Sequence, residues 1–391
     1  MQLDFYGIGA NLVGMLDRTI TSFVRTDLKQ KIVLISGPRQ TGKTTLARNL
    51  SSSVDYLNYD AVSDRKRIVK QDWSRSVELV VFDELHKMKK WKGWLKGIFD
   101  TEGVTPQILV TGSARLDIAK RMGDSLAGRH FAFRLHPITL KELHQELPSS
   151  APEKNFLTLL NHGGFPEPFF SSEPFFYERW RRSHLDLILR QDLLDTENVR
   201  QITQIELLIE LLRGRVGSVV SYQSLAEDLQ VDISTVKRWL IMLENLFVIF
   251  RLTPFSRNVA RSLLKSSKFY FYDNGQVEGN EGAKFENLVA NALLSHVHFE
   301  QDTKGRRVEL CYLRNKDGDE IDFALVEKQK VTVMLEAKWS DATPSTAFLK
   351  LKPKDTHPQA VQLVAELDKE KDYPFGVSVR SAPQWLSVLS I

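Results

Sequence analysis

Gly37-Pro38-Arg39-Gln40-Thr41-Gly42-Lys43-Thr44 carries the most specific chemistry in this sequence. The GxxxxGKT spacing follows an apolar run and opens a helical stretch, the context that a triphosphate cradle requires. The glycines let backbone N–H groups turn inward onto phosphate oxygens, and the helix start adds a positive dipole. Lys43 is expected to pair with the β- and γ-phosphates, and the Thr44 hydroxyl to coordinate a metal. The expected nucleotide-binding set is Gly37, Pro38, Arg39, Gln40, Thr41, Gly42, Lys43, Thr44 and Thr45, with ATP and Mg²⁺ as cofactors.

Phe82-Asp83-Glu84 ends another apolar run. There Asp83 can hold the Mg²⁺ shell through water, while Glu84 can polarise an attacking water as general base. Thr111-Gly112-Ser113 ends a further run, and a hydroxyl there can sense the γ-phosphate or orient the water. Ser113 is preferred over Thr111, although it also suits a helix N-cap. Arg129 follows Gly128, and an arginine at that point can reach a neighbouring subunit's nucleotide and neutralise charge on the transferred phosphoryl group. Arg121 is the second choice for that role, and a surface ion pair is the plain alternative.

Two further constellations lie downstream. Ser221–Leu229 and Thr235–Glu244 read as two helices separated by Gln230–Ser234, with Ser234 or Asp232 as the second N-cap. Phe247–Phe250 and Leu252 follow as a strand-like wing. Helix, turn, helix and wing is the pattern of a winged helix-turn-helix, and Lys237 and Arg238 on the second helix could meet DNA phosphates. Nearer the C-terminus come Glu286 in a helix, Asp322 at the start of a strand, and Glu336-Ala337-Lys338 at the end of the next. Period-two alternation puts Glu336 and Lys338 on one side of that strand. Glu286, Asp322 and Glu336 could bind Mg²⁺ while Lys338 activates water, with Asp322, Glu336 and Lys338 as the catalytic set.

These residues need elements to position them. Strands are expected at Lys31–Ser36, Tyr56–Asp60, Glu78–Asp83, Gln107–Gly112 and Phe131–Leu135, with helices between them and at about 14–28. That alternation implies a parallel sheet covered on both faces. Helical patterns at Phe175–Asp195 and Gln201–Leu212 then take over. Strands return at Phe269–Tyr272, Val308–Leu313, Ile321–Val326 and Val331–Lys338, with a helix at Ala283–His296.

The 391 residues are enough for two or three domains, and 42% hydrophobic against 26% charged residues allows real cores. The net charge of +4 permits nucleic-acid binding through local patches without demanding it. One cysteine, Cys311, rules out a disulfide framework, and it reads as a strand residue rather than a nucleophile. No run approaches a membrane span, and the first residues lack the basic and apolar regions of a secretory signal. A cytoplasmic protein with no membrane partner is expected.

Taken together, these motifs resemble AAA-type ATPases of bacteria and archaea that carry a winged helix and a C-terminal restriction-endonuclease-like (PD-(D/E)xK) domain of unassigned function. The matching residues are the loop 37–44, Asp83-Glu84-Leu85, Thr111-Gly112-Ser113 and Ala127-Gly128-Arg129. His136–Glu142, Gly163–Glu167, Arg190-Gln191-Asp192, and Asp322 with Glu336 and Lys338 extend the resemblance over nearly the whole chain. Phe82 departs from it, standing where an aliphatic residue is usual. The fold class implied is α/β, a P-loop AAA-type core with a helical lid, a winged helix-turn-helix and a C-terminal α/β nuclease-like domain. The boundaries expected are 1–138, 139–215, 216–257 and 258–391. The leading expectation is an ATP-hydrolysing homo-oligomer, a ring with a hexamer favoured, that moves or opens DNA. An ATP-gated metal-dependent nuclease and a nucleotide-dependent protein-binding switch are the alternatives.

Overall fold

A computed structural model describes residues 16–113, 126–148, 150–171, 173–193, 199–256, 267–353 and 357–391. The chain divides into two compact units. The first is Met1–His136 with the short pieces Asn245–Phe247 and Asp302–Lys304, and the second holds Pro137–Glu244, Val248–Gln301 and Gly305–Ile391.

In the first unit α1 (Thr21–Leu28) leads into β1 (Ile32–Ser36). Then come α2 (Lys43–Asn49), β2 (Val54–Asn58), α3 (Val62–Lys70), β3 (Leu79–Asp83), α4 (Trp91–Glu102), β4 (Gln107–Gly112) and β5 (His130–Arg134). The strands form one parallel sheet in the order β2-β3-β4-β1-β5. β1 and β3 are buried along their whole length, which is why they read as unbroken apolar runs. Register sets Asp83 beside Thr111 and Ser36 beside Gly112. The loops leaving β1, β3 and β4 therefore share one sheet edge, the carboxyl end where α/β sheets build sites.

The Phe82 departure has a packing reason. Its ring meets Trp73 and Trp94 edge to face at 5.1 and 5.4 Å, inside an apolar cluster with Leu95 and Ile98. β2 ends two residues earlier than expected, because the Asn58 side chain accepts the Asp60 N–H at 2.9 Å and turns the chain. The expected first helix is described only as Thr21–Leu28, and its residues 14–15 lie outside the described residues, as does Arg121.

The second unit opens with α5 (Leu140–Glu146), held by a capping box between Thr139 and Glu142. Next are α6 (Pro152–His162), α7 (Pro166–Phe170), α8 (Phe176–Leu193) and α9 (Val199–Arg213). β6 (Val219–Val220), α10 (Tyr222–Leu229), α11 (Ile233–Asn245), β7 (Ile249–Leu252) and β8 (Ser267–Phe271) follow. The chain continues through α12 (Glu281–Lys304), β9 (Val308–Arg314), β10 (Glu320–Glu327), β11 (Lys330–Lys338), α13 (Ala347–Lys350), β12 (Gln359–Val364), β13 (Lys371–Asp372), β14 (Val377–Ser381) and α14 (Ala382–Ser387).

β6, β8 and β7 make a small antiparallel sheet in that order. The six-stranded sheet runs β13-β14-β12-β11-β10-β9. Its centre is mixed: β10 and β11 pair antiparallel, whereas β11 and β12 pair parallel. β7 finds its partner in β8, across the expected boundary at 257/258, and not in a local hairpin. α11 starts at Ile233, before the expected Thr235, because the Asp232 carbonyl already accepts the N–H groups of Thr235 and Val236.

Candidate functional site

The loop after β1 is shaped by close backbone approach. A Cβ on Gly37 would stand 2.3 Å from the Leu135 carbonyl oxygen, so only glycine fits there. Gly42 holds φ 93° at the start of α2, a left-handed value that glycine adopts readily. The Arg18 guanidinium donates to the carbonyls of Thr41 at 3.0 Å and His136 at 2.6 Å, and Thr41 Oγ1 donates to the Pro38 carbonyl at 2.9 Å. Lys43 is buried, and its Nζ donates to the carbonyls of Gly37 at 2.9 Å and Pro38 at 2.6 Å. These are neutral acceptors, and phosphate oxygens are stronger partners for an ammonium. Arg39 and Thr45 are half-buried, while Gln40 and Thr44 are exposed.

Across the sheet edge, Thr44 Oγ1 donates to Asp83 Oδ2 at 3.2 Å. The Tyr56 hydroxyl donates to the same carboxylate oxygen, and Thr111 Oγ1 donates to Oδ1. Burial, then the bond to Asp83, pushes the Tyr56 phenol above its ordinary range. A hydroxyl and a carboxylate held this close are the hard oxygen donors that Mg²⁺ takes alongside water and phosphate oxygens, so the residues fit that ion. Glu84 sits in a left-handed turn at φ 55°. Its Oε2 accepts from Ser113 Oγ at 3.0 Å and lies 3.6 Å from Lys87 Nζ and 3.7 Å from His86 Nε2.

The loop, Asp83, Glu84, Thr111 and Ser113 are thus brought to one sheet edge. Tyr56, His86 and Lys87 were not anticipated. Tyr56 could have been found as a polar ring on the strand beside β3; nothing in the spacing of His86 and Lys87 marks them. Arg129 is on the surface of the same unit, with Nε 2.6 Å and Nη2 3.2 Å from the two carboxylate oxygens of Asp100.

In the second unit, Lys237 and Arg238 are exposed on α11, while Val236, Trp239, Leu240 and Leu243 bury its other face. Lys237 Nζ also stands 5.8 Å from the Tyr222 ring centroid. The C-terminal acids converge as well. Ala337 N–H donates to Asp322 Oδ2 at 2.9 Å, Asp322 N–H reaches Glu336 Oε2 at 3.3 Å, and Lys338 Nζ is 2.9 Å from Glu336 Oε1. A metal shell of Glu286, Asp322 and Glu336 was expected, but a fully buried lysine, Lys268, stands among these acids. Among the described residues no group of three or more His, Cys, Asp and Glu is placed to hold a metal ion. A divalent ion bound by Glu286 and Asp322 would have to meet the like charge of the Lys268 ammonium, 3.4 and 3.8 Å from their oxygens. Burial, then the charges of Glu286 and Glu336, push the Asp322 carboxyl well above the carboxylate range. Cys311 is buried, and burial pushes its thiol up to about 12, which leaves it inert as a nucleophile.

Comparison with known proteins matches three stretches of the chain. Residues 29–144 match the model of an AAA domain, and on that match the chain carries an AAA-type ATPase domain, with nucleotide binding implied. Residues 153–278 and 281–385 match two domains of unknown function, DUF8612 and DUF4143. An uncharacterized protein of Mycobacterium tuberculosis is 28% identical over 248 residues, 62% of this chain and 54% of the relative. The chain thus spans about half the length of that relative. An uncharacterized protein of Haemophilus influenzae is 24% identical over 327 residues, covering 75% of this chain and 78% of its own. Among solved structures, a Signal Transduction ATPase with Numerous Domains bearing a tetratricopeptide repeat sensor, from Pyrococcus horikoshii, matches at 13% identity and TM-score 0.29, over 72% of this chain and 46% of that one. A likeness that low carries no argument. No helix among the described residues is long and apolar enough to cross a membrane.

Proposed function

We propose that this chain hydrolyses ATP at the Gly37–Thr45 loop and, as a homo-oligomer, uses turnover to move or open DNA. The observation that carries the hydrolytic part is the 3.2 Å approach of the Thr44 hydroxyl to Asp83, beside the buried Lys43. When bound between Thr44 and Asp83, Mg²⁺ would neutralise charge on the β- and γ-phosphates. Lys43 would exchange two backbone carbonyls for phosphate oxygens. Glu84 is the group to take a proton from water, and the Ser113 hydroxyl holds one of its oxygens in place. Lys87 and His86 keep positive charge near that carboxylate when protonated.

The DNA part is supported by α10, its turn and α11, which with the β6-β8-β7 sheet have the makeup of a winged helix. Lys237 and Arg238 on the exposed face of α11 are placed to meet phosphates, which position a protein on DNA without reading sequence. The oligomeric part is supported by Arg129, a half-buried arginine whose guanidinium pairs with the partly exposed Asp100, an arrangement that a neighbour's nucleotide could replace.

Steady-state ATPase assays with and without single-stranded, duplex and branched DNA test the reading, run beside a size measurement with a non-hydrolysable nucleotide. DNA is expected to stimulate turnover, with binding that weakens steeply as salt rises. Replacing Lys237 and Arg238 together by alanine should remove the stimulation and leave basal turnover intact. ATPase activity indifferent to every DNA would remove the DNA part and leave the hydrolytic part standing.

A further inference from the structure

Lys268 is the second residue of β8, and its side chain is only 1% exposed. Lysine is almost never this buried without partners. Here the Nζ lies 2.6 Å from Glu320 Oε1, 3.4 Å from Glu286 Oε1 and 3.8 Å from Asp322 Oδ1. The Tyr270 hydroxyl, two residues along the same strand face, donates to Glu286 Oε1 at 2.8 Å. Gly217 closes on the same carboxylate: a Cβ there would stand 2.5 Å from Glu286 Oε2.

Several of the other oxygens have partners too. Arg314 is 3.2 Å from Glu320 Oε2, Ala337 N–H holds Asp322 Oδ2, and Asp322 N–H and Lys338 hold the two oxygens of Glu336. A hard divalent cation in this place would need several of these oxygens at once, at little more than 2 Å. It would also have to sit close to a buried ammonium whose like charge opposes it.

We propose that the Lys268 ammonium is the resident cation of this acidic cluster, filling from within the chain the position at which the acids would otherwise gather a divalent metal. The C-terminal sheet then carries a metal-independent module, and the cluster does not cut phosphodiester bonds through a bound ion. The acids and Lys338 keep the pattern of a cleaving site, while the added cation from β8 changes what the pattern does.

Mn²⁺ binding to the full chain, without nucleotide, tests this. The parent carries Lys43→Ala and Thr44→Ala, so that the phosphate loop contributes no metal site. Free Mn²⁺ is read by electron paramagnetic resonance. The parent and its Asp322→Asn derivative are expected to bind Mn²⁺ alike and weakly. Adding Lys268→Met should create one site that binds at least about tenfold tighter and vanishes again with Asp322→Asn. Asp322-dependent Mn²⁺ binding by the parent would overturn the proposal, and so would a Lys268→Met protein that folds by circular dichroism yet takes up no Mn²⁺. If Lys268→Met does not fold, the parent against Asp322→Asn decides alone: equal weak binding supports the proposal and a difference refutes it. Because the loop is disabled throughout, the outcome does not depend on whether the chain hydrolyses ATP.

Discussion

Two buried lysines, one in each region of this molecule, are held in opposite ways. Lys43 rests on the carbonyls of Gly37 and Pro38, neutral groups that a triphosphate can replace. Lys268 rests among Glu286, Glu320 and Asp322, charges that nothing short of another cation can match. In the first region the acids, Asp83 and Glu84, are held by hydroxyls from Thr44, Tyr56, Thr111 and Ser113. In the second they are held mainly by cations, Lys268, Arg314 and Lys338, together with backbone amides and the Tyr270 hydroxyl. A lysine parked on weak acceptors suits a site that exchanges ligands. One sealed in ion pairs suits a fixed element of the fold.

Substituting each lysine should separate the regions. Lys43→Ala is expected to lower ATP turnover by at least about a hundredfold, since it deletes the charge proposed to meet the phosphate oxygens. Its thermal unfolding should stay near that of the parent. Lys268→Met should do the reverse. Removing one partner of a buried ion cluster leaves uncompensated charge and costs about 3–5 kcal/mol, read as a lower denaturation midpoint. Nucleotide turnover measured below that midpoint should persist. If Lys43→Ala unfolded the chain while Lys268→Met did not, the contrast would be broken.

A smaller effect sharpens the picture within the second unit. Asp273 is buried and accepts from Tyr177 at 2.9 Å and from the Gly275 amide and Gln276 at 3.3 Å. Burial outweighs those bonds and raises its carboxyl from the ordinary 3.8 to about 6. The folded chain therefore holds a proton that the unfolded chain gives up. Stability from this group is fully present below about pH 4 and is lost as pH rises to about 6. Comparing denaturation midpoints of the parent and Asp273→Asn over that window should show the parent losing ground to the variant, by no more than about 3 kcal/mol. A parallel pair of curves would contradict it.

How much of this was legible in the sequence follows from how local each signal is. The loop 37–44 and the strands feeding it are contiguous runs, so spacing and apolar character sufficed to find them. Strand ends moved by a residue or two where side chains such as Asn58 intervened, which periodicity does not record. The grouping of Asp322, Glu336 and Lys338 was readable because adjacent strands bring them together with period two. Lys268 was not, because its role depends on pairings between β8 and segments far along the chain, and a lysine near the start of an apolar strand looks like an ordinary solvated end. Tyr56 escaped for a similar reason: its partner is set by the register of β2 against β3.

The measurement closest to the central claim is single-turnover ATP hydrolysis by Glu84→Gln beside equilibrium binding of Mg²⁺-ATP to the same protein. The amide keeps the bond geometry with Ser113 and cannot take a proton from water. Binding should survive while the chemical step slows by about a hundredfold or more. Hydrolysis at the unmodified rate would remove Glu84 from the base role, and a parent protein that binds no nucleotide would contradict the whole account of the loop.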